Sequence, residues 1–361
     1  MARVFLATFA EYFICDMKEG ENRNYNLKIG ITHGDYNGIA YELVLKTLHE
    51  GNIHESLTPV FFGCSKLVSY FRNYYSIPNF SFVAVKQNEV TSNKPHLYNI
   101  HSEEVKVTLG EITDEGSRLG ILSMEKAHNA IISKMVDALV CCPIQLPMLK
   151  DTSPSYIGNG SYFIHKLKTT SSIQILCNDH VKVTAASAKI NNAELAKLIT
   201  VDYLLNKIRI LNKVMCDDFL ISAPKIAILA ANSVDEKGNF VDGEIERTIE
   251  EANKLALKEK ILSFGPYNPS TFFNNREYQK FDVIMSITSQ QADTIFSLLN
   301  GQDGVIYTAG LPFVVTEPWH YSDNDIELDC QIFRSAMYLA DAITKNRRMN
   351  GRLRKNAMPR K

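Results

Sequence analysis

The stretch Asn26-Leu27-Lys28-Ile29-Gly30-Ile31-Thr32-His33-Gly34-Asp35-Tyr36-Asn37-Gly38 decides the fold. Asn26 to Thr32 is a short apolar run of strand length, and the Gly, Asp and Asn residues behind it mark a turn. Val44, Leu45 and Leu48 then recur at helical spacing, so the segment reads as strand, loop and helix in succession. Working outward, the pattern repeats. Pro59 to Gly63 is followed by a helix over Lys66 to Tyr75, then by a strand Phe80 to Val85. A long helix over Arg118 to Met135 leads into a strand Asp137 to Pro143. A second block holds a helix Asn191 to Leu211, a strand Lys225 to Ala231, a helix Asp242 to Lys260 and a strand Asp282 to Thr288. Such alternation predicts an α/β fold with a mostly parallel central sheet. In the long helix, Ile121, Met124, His128, Ile131, Ile132 and Met135 share one face, which makes His128 a structural histidine beside the core.

Composition narrows the function. The 361 residues are 45% hydrophobic and 22% charged, the proportions of a globular protein large enough for two domains. Lys plus Arg is 39 and Asp plus Glu is 40, a net charge of −1, so no global basic field exists to collect nucleic acid or anionic lipid. The exception is residues 345–361, with Lys345, Arg347, Arg348, Arg352, Arg354, Lys355, Arg360 and Lys361, read as a solvated basic tail without aromatic stacking platforms. No apolar run approaches the length of a membrane span. The 7 cysteines are scattered without C-x-x-C spacing, which predicts reduced thiols and a cytoplasmic protein. The run Val4 to Ala10 lacks the pattern of a secretory leader. The polar lead Met17-Lys18-Glu19-Gly20-Glu21-Asn22 places the expected translation start at Met17, with residues 1–25 an extension outside the fold.

Generic catalytic motifs are absent: no P-loop, no H-E-x-x-H, no G-x-S-x-G, and only the fragment Gly158-Asn159-Gly160 of a dinucleotide fingerprint. No two histidines stand three or four residues apart, so no local histidine metal site is visible. The most chemically loaded stretch is Thr308 to Pro312 and Thr316-Glu317-Pro318-Trp319-His320-Tyr321-Ser322-Asp323-Asn324-Asp325-Ile326, read as a polar loop between turn residues.

Taken in order, these segments resemble one family, the NAD-dependent 4-hydroxythreonine-4-phosphate dehydrogenases of pyridoxal phosphate biosynthesis. The resemblance spans Asn26 to about Ile343. It rests on Ile31-Thr32-His33-Gly34-Asp35-Tyr36-Asn37-Gly38-Ile39-Ala40-Tyr41-Glu42-Leu43, similar to the family opening I-T-x-G-D-x-x-G-I-G-x-E-L. It continues through Asp137 to Ile144, Asn232, Gly265-Pro266 and Phe281-Asp282 to Gly310-Leu311-Pro312. The resemblance implies an isocitrate/isopropylmalate dehydrogenase-like fold and a homodimer. Its first domain would comprise 26–143 plus 305–345 and its second 144–304, with a basic tail over 346–361.

The functional positions depart from the family pattern. The three histidines that hold the family's divalent metal fall on Lys189, Val234 and Ser289, none of which replaces imidazole, so no metal is expected. The substrate-binding histidine and threonine of the G-H-T-E segment fall on Asn159 and Gly160. The lysine, asparagine and arginine that contact substrate and phosphate fall on Ser297, Ile306 and Val315, which cannot neutralise a phosphate monoester. His320, Asp325 and Ile326 match an H-G-T-A-x-D-I pattern beside the adenosine half of NAD, although Tyr321 replaces the glycine, so NAD binding stays open. The expectation is a non-catalytic binding or regulatory paralogue, in a homodimer or paired with an active copy, with an unassigned small-molecule ligand, no nucleic acid and no membrane. The alternative is an active, metal-independent NAD-dependent dehydrogenase of the pyridoxal phosphate pathway or of a related phosphorylated hydroxy acid, in which Lys189 supplies the positive charge, against a reading in which Lys189 reaches into solvent.

Overall fold

The computed structural model describes residues 26–50, 53–78, 80–86, 89–91, 93–144, 159–187, 192–232, 235, 240, 243–300, 304–319 and 330–356. The first half runs β1 (Leu27–Thr32), α1 (Ala40–Glu50), α2 (Ile53–Ser56), β2 (Leu57–Gly63), α3 (Ser65–Tyr74), β3 (Val83–Ala84), β4 (His96–Asn99), α4 (Asp114–Ile132) and β5 (Ala138–Cys141). There follow α5 (Gly160–Leu167), β6 (Ile173–Cys177), β7 (Lys182–Ala185), α6 (Asn192–Leu198), α7 (Val201–Asp217), β8 (Lys225–Leu229), α8 (Glu244–Lys258) and β9 (Leu262–Tyr267). The chain closes with α9 (Pro269–Asn274), β10 (Val283–Ser286), α10 (Ser289–Asn300), β11 (Val305–Ala309), β12 (Val315–Pro318) and α11 (Cys330–Asn356).

The strands form one 12-stranded sheet in the order β3-β4-β2-β1-β5-β12-β11-β6-β7-β10-β8-β9. Pairing is antiparallel at β11–β12, β11–β6 and β6–β7 and parallel elsewhere, so two parallel halves meet across an antiparallel centre. Both faces are covered, as parallel sheets require. One face packs against α1, α3, α7, α8 and α11 in a continuous core. The other carries two clusters, one under α4 and α5 and one under α9 and α10.

Several elements differ from the sequence expectation. The helix expected over Asn191 to Leu211 is two, because Thr200 accepts the amide of Tyr203 and starts α7 afresh. α4 begins earlier than Arg118, at Asp114, where Thr113 caps it through the amide of Gly116. Its inner face is built from Leu119, Gly120, Ser123, Met124, Ala127 and Ile131, while Ile121 and Ile132 are exposed. Small residues set that face because the helix lies close on the first turn: a Cβ on Gly120 would sit 3.1 Å from the carbonyl of Gly34. His128 is half-buried with its ring against Phe163 and Phe313. The strand expected over Phe80 to Val85 shrinks to Val83–Ala84, and β4 is added beside it at the sheet edge, where pairing is too short to leave a sequence pattern.

Residues 346–356 were expected in a solvated tail and instead continue α11. Arg347 reaches Asp218 and Arg348 pairs with Asp137, which fastens this basic segment to the fold. The remaining tail residues, 357–361, and the extension 1–25 lie outside the described residues. Cys64, Cys141, Cys142, Cys177, Cys216 and Cys330 are free thiols. Among the described residues no helix is long and apolar enough to cross a membrane.

Candidate functional site

The site is built on the antiparallel pair at the centre of the sheet. In the register of β11 and β12, Thr308 faces Val315 and Ile306 faces Glu317. Strand alternation therefore puts these four side chains on one face and Tyr307 and Thr316 on the other. The start of α5 lies against that first face. A Cβ on Gly160 would fall 1.9 Å from Oγ1 of Thr308, so glycine is what lets the helix approach.

Glu317, only 4% exposed, is the centre of the arrangement. Its Oε2 accepts the backbone N–H of Asn159 at 2.8 Å and the side-chain Nδ2–H of Asn159 at 2.8 Å. Its Oε1 accepts the backbone N–H of Gly160 at 3.3 Å. Asn159 Nδ2 also donates to the carbonyl of Cys142 at 3.0 Å, tying α5 to the end of β5. Asn159 occupies the N-cap position of α5 without making a side-chain capping bond of its own, so a carboxylate from β12 does the capping. Burial pushes the Glu317 carboxyl up from its ordinary range, against the opposing pull of the Asn159 and Gly160 hydrogen bonds. Asn159 Oδ1 and Thr308 Oγ1 are buried beside it without a hydrogen-bond partner.

A turn at the carboxyl ends of β1 and β5 adjoins this cluster, in the region where parallel sheets bind ligands. The amide of Asp35 donates to the carbonyl of Pro143 at 3.0 Å, and Asp35 Oδ1 accepts the amide of Asn37 at 3.0 Å. Gly34 has φ +64°, and a Cβ there would meet the Pro143 carbonyl at 2.3 Å. His33 is wholly buried among Tyr36, Tyr41 and Ser123, with neither ring nitrogen partnered. Burial lowers its pKa to about 4, so the imidazole is neutral at pH 7. Burial also raises the Asp35 carboxyl.

Of the positions singled out from sequence, the structure brings Asn159, Gly160, Ile306 and Val315 to this face. Ser289 and Ser297 lie on α10, which packs over β6, β7 and β10. Ser289 is buried, and Ser297 Oγ donates to the carbonyl of Asp293 at 2.7 Å, a bond within its own helix. Lys189, Val234, His320 and Asp325 lie outside the described residues, so neither the lysine nor the expected NAD contacts are placed. Among the described residues no group of three His, Cys, Asp or Glu is arranged to hold a metal. Ser289, at the start of α10, offers a single hydroxyl.

Sequence reading missed Glu317 and Thr308 as site residues. It placed Glu317 in a polar loop, whereas the structure puts Val315–Pro318 in a fully buried strand. The available signal was the β-branched run Val314-Val315-Thr316 immediately before the acid, which reads as strand.

The family model described as pyridoxal phosphate biosynthetic protein PdxA matches residues 55–343. The chain is 30% identical over 338 residues to the 4-hydroxythreonine-4-phosphate dehydrogenase of Bacteroides thetaiotaomicron, covering 92% of this chain and 93% of that one. It is 26% identical over 309 residues to the D-threonate 4-phosphate dehydrogenase of Pectobacterium atrosepticum, covering 82% and 92%. Among solved structures, the 4-hydroxythreonine-4-phosphate dehydrogenase of Klebsiella pneumoniae superposes with a TM-score of 0.72 at 20% identity, over 88% of this chain and 100% of that one. That likeness establishes the isocitrate dehydrogenase-like fold. With the family model covering most of its length, the chain belongs to the PdxA family.

Proposed function

We propose that this PdxA-family protein has given up the metal-dependent oxidation of 4-phosphohydroxy-L-threonine and works as a binding or regulatory paralogue. The observation that carries this reading is the buried Glu317 carboxylate on Asn159 and Gly160, flanked by Ile306 and Val315. The resemblance implies a substrate-binding pair at 159 and 160 and phosphate-contacting groups at 306 and 315. A phosphate brought there meets a carboxylate and two aliphatic side chains. One like-charge pair at about 4 Å costs about 4 kcal/mol at an effective dielectric near 20, before any loss of the missing cations. A bound metal would supply Lewis-acid stabilisation of a developing alkoxide. Two of the three positions to which the resemblance carries metal ligands, 189 and 234, lie outside the described residues.

NAD remains the ligand to test first, at His320, and the assembly we propose is a homodimer or a pairing with an active copy. The experiment is NADH formation by the purified protein offered 4-phosphohydroxy-L-threonine and NAD, with and without zinc or magnesium. The reading expects none in either condition; NADH formation that rises with metal overturns it.

A second reading is a metal-independent NAD-dependent dehydrogenase for another hydroxy acid, with Lys189 supplying positive charge. It is favoured by the 30% identity to a named dehydrogenase and by a relative named for a different substrate, D-threonate 4-phosphate. Metal-independent turnover of a phosphorylated hydroxy acid such as D-threonate 4-phosphate that Lys189→Met abolishes would select it.

A further inference from the structure

The amino end of α5 is a place where an anion belongs. Its first amides point out of the helix unsatisfied by the helix itself, and the helix dipole favours negative charge there. One further polar atom lies at the same spot, Thr308 Oγ1, fully buried and without a partner, whose hydroxyl can donate to an anion. Thr308 Oγ1 is aimed at Gly160, close enough to touch any Cβ built there. Yet the amides of Asn159 and Gly160 and the Asn159 Nδ2–H are all taken, by the chain's own Glu317.

We propose that Glu317 is a specificity-determining residue which closes this site to phosphate and carboxylate ligands, its side-chain carboxylate standing where an external anion would bind. The proposal rests on the first reading of the function above, which the same Glu317 contacts carry, and its test reads stability rather than turnover, so the two can fail separately. The register makes the closure permanent rather than conditional. Glu317 is fixed opposite Ile306 in a buried strand pair, and no rotation of its side chain reaches solvent without leaving three donors unpaired in the core. Access of an anion to these donors therefore depends on the residue at 317.

The test is chemical rescue. Glu317→Ala removes the CH2–COO− portion of the side chain, a fragment the size of acetate, and leaves the three donors unmet. Thermal unfolding of wild type, E317A and E317Q is followed in sodium acetate and in sodium chloride of equal ionic strength. We expect E317A to lose stability and to recover it with acetate but not chloride, because an anion bound only by the folded state raises Tm with its concentration. Wild type and E317Q, whose amide fills the same volume, should show no acetate-specific gain. An E317A protein indifferent to acetate overturns the proposal. So does an equal acetate response in wild type. Amide hydrogen exchange in the unmodified chain gives a readout that needs no variant. Protection at Asn159 and Gly160 should be the same in inorganic phosphate as in chloride, and phosphate-dependent protection there contradicts the closure.

Discussion

Arg347 of α11 grips Asp218, at the carboxyl end of α7, with Nε on Oδ1 at 2.7 Å and Nη2 on Oδ2 at 3.1 Å. The same Nη2 donates to the hydroxyl of Tyr307 at 2.8 Å, and Nη1 donates to the carbonyl of Leu311 at 3.0 Å. Tyr307 in turn donates to Asp218. This fork joins α11 to α7 and to the β11–β12 turn from the face opposite Glu317. Removing the guanidinium leaves Asp218 charged and buried, so Arg347→Ala should cost about 3–5 kcal/mol. Urea unfolding checks it, and a loss below 1 kcal/mol, the ordinary worth of a surface pair, would show the fork to be incidental.

Gly160 should not tolerate a side chain while Thr308 is present. A Cβ at 160 meets Thr308 Oγ1 at 1.9 Å, Cβ at 2.9 Å and Cγ2 at 3.0 Å, and turning the Thr308 side chain about χ1 leaves the contact with its Cβ in place. Gly160→Ala is expected to cost about 1–3 kcal/mol through overpacking. Adding Thr308→Gly, which clears all three atoms, should make the Gly160→Ala step cheaper in a double-mutant cycle. Independent, additive losses would contradict the contact.

Asn159→Asp should act through charge. It replaces a donor to Glu317 Oε2 with a second carboxylate at the same place, a penalty of about 4 kcal/mol at pH 7 by the Coulomb estimate used above. Two such carboxyls hold a shared proton in the folded state more tightly than in the unfolded chain, so folded-state protons outnumber unfolded ones and stability falls as pH rises. The variant should therefore lie closer to wild type at pH 5 than at pH 7. Urea midpoints at the two pH values decide it, and an equal gap at both would remove charge as the cause.

His33 predicts an acid-labile core. Its pKa is lowered from 6.5 to about 4 by burial, so between those values the unfolded chain binds a proton that the folded one does not. Stability is present above pH 6.5 and is lost as pH falls toward 4, by about 3 kcal/mol from this group at 1.36 kcal/mol per pH unit. His33→Phe removes the titration and should flatten that part of the stability curve, measured as the slope between pH 6.5 and 4. A slope unchanged by the substitution would clear His33 of the effect.

How far the sequence disclosed this molecule depended on what each residue was asked to report. β1 and its glycine-rich turn were plain, because Leu27, Ile29 and Ile31 are buried on one face, Gly30 and Thr32 on the other, and Gly34 is forced by its neighbours. The inner face of α4 was not, since Gly120, Ser123 and Ala127 let the helix approach the sheet, and small residues leave no apolar stripe. Asn159 and Gly160 were singled out by the resemblance, but the partner the structure gives them was hidden: Glu317 is 158 residues from Asn159, and long-range pairing leaves no local period. Glu317 looked like a loop residue because its charge was weighed without the strand before it. Arg347 looked like tail for the same reason, its acid lying 129 residues upstream.

The most direct measurement of the central claim is calorimetric titration of the full-length protein with 4-phosphohydroxy-L-threonine, in the presence of NAD and zinc. A site filled by Glu317 and lined by Ile306 and Val315 predicts no saturable heat. Saturable binding that Glu317→Gln leaves intact would mean that the phosphorylated substrate is still recognised, and that the loss of the family's chemistry proposed for this chain has not occurred.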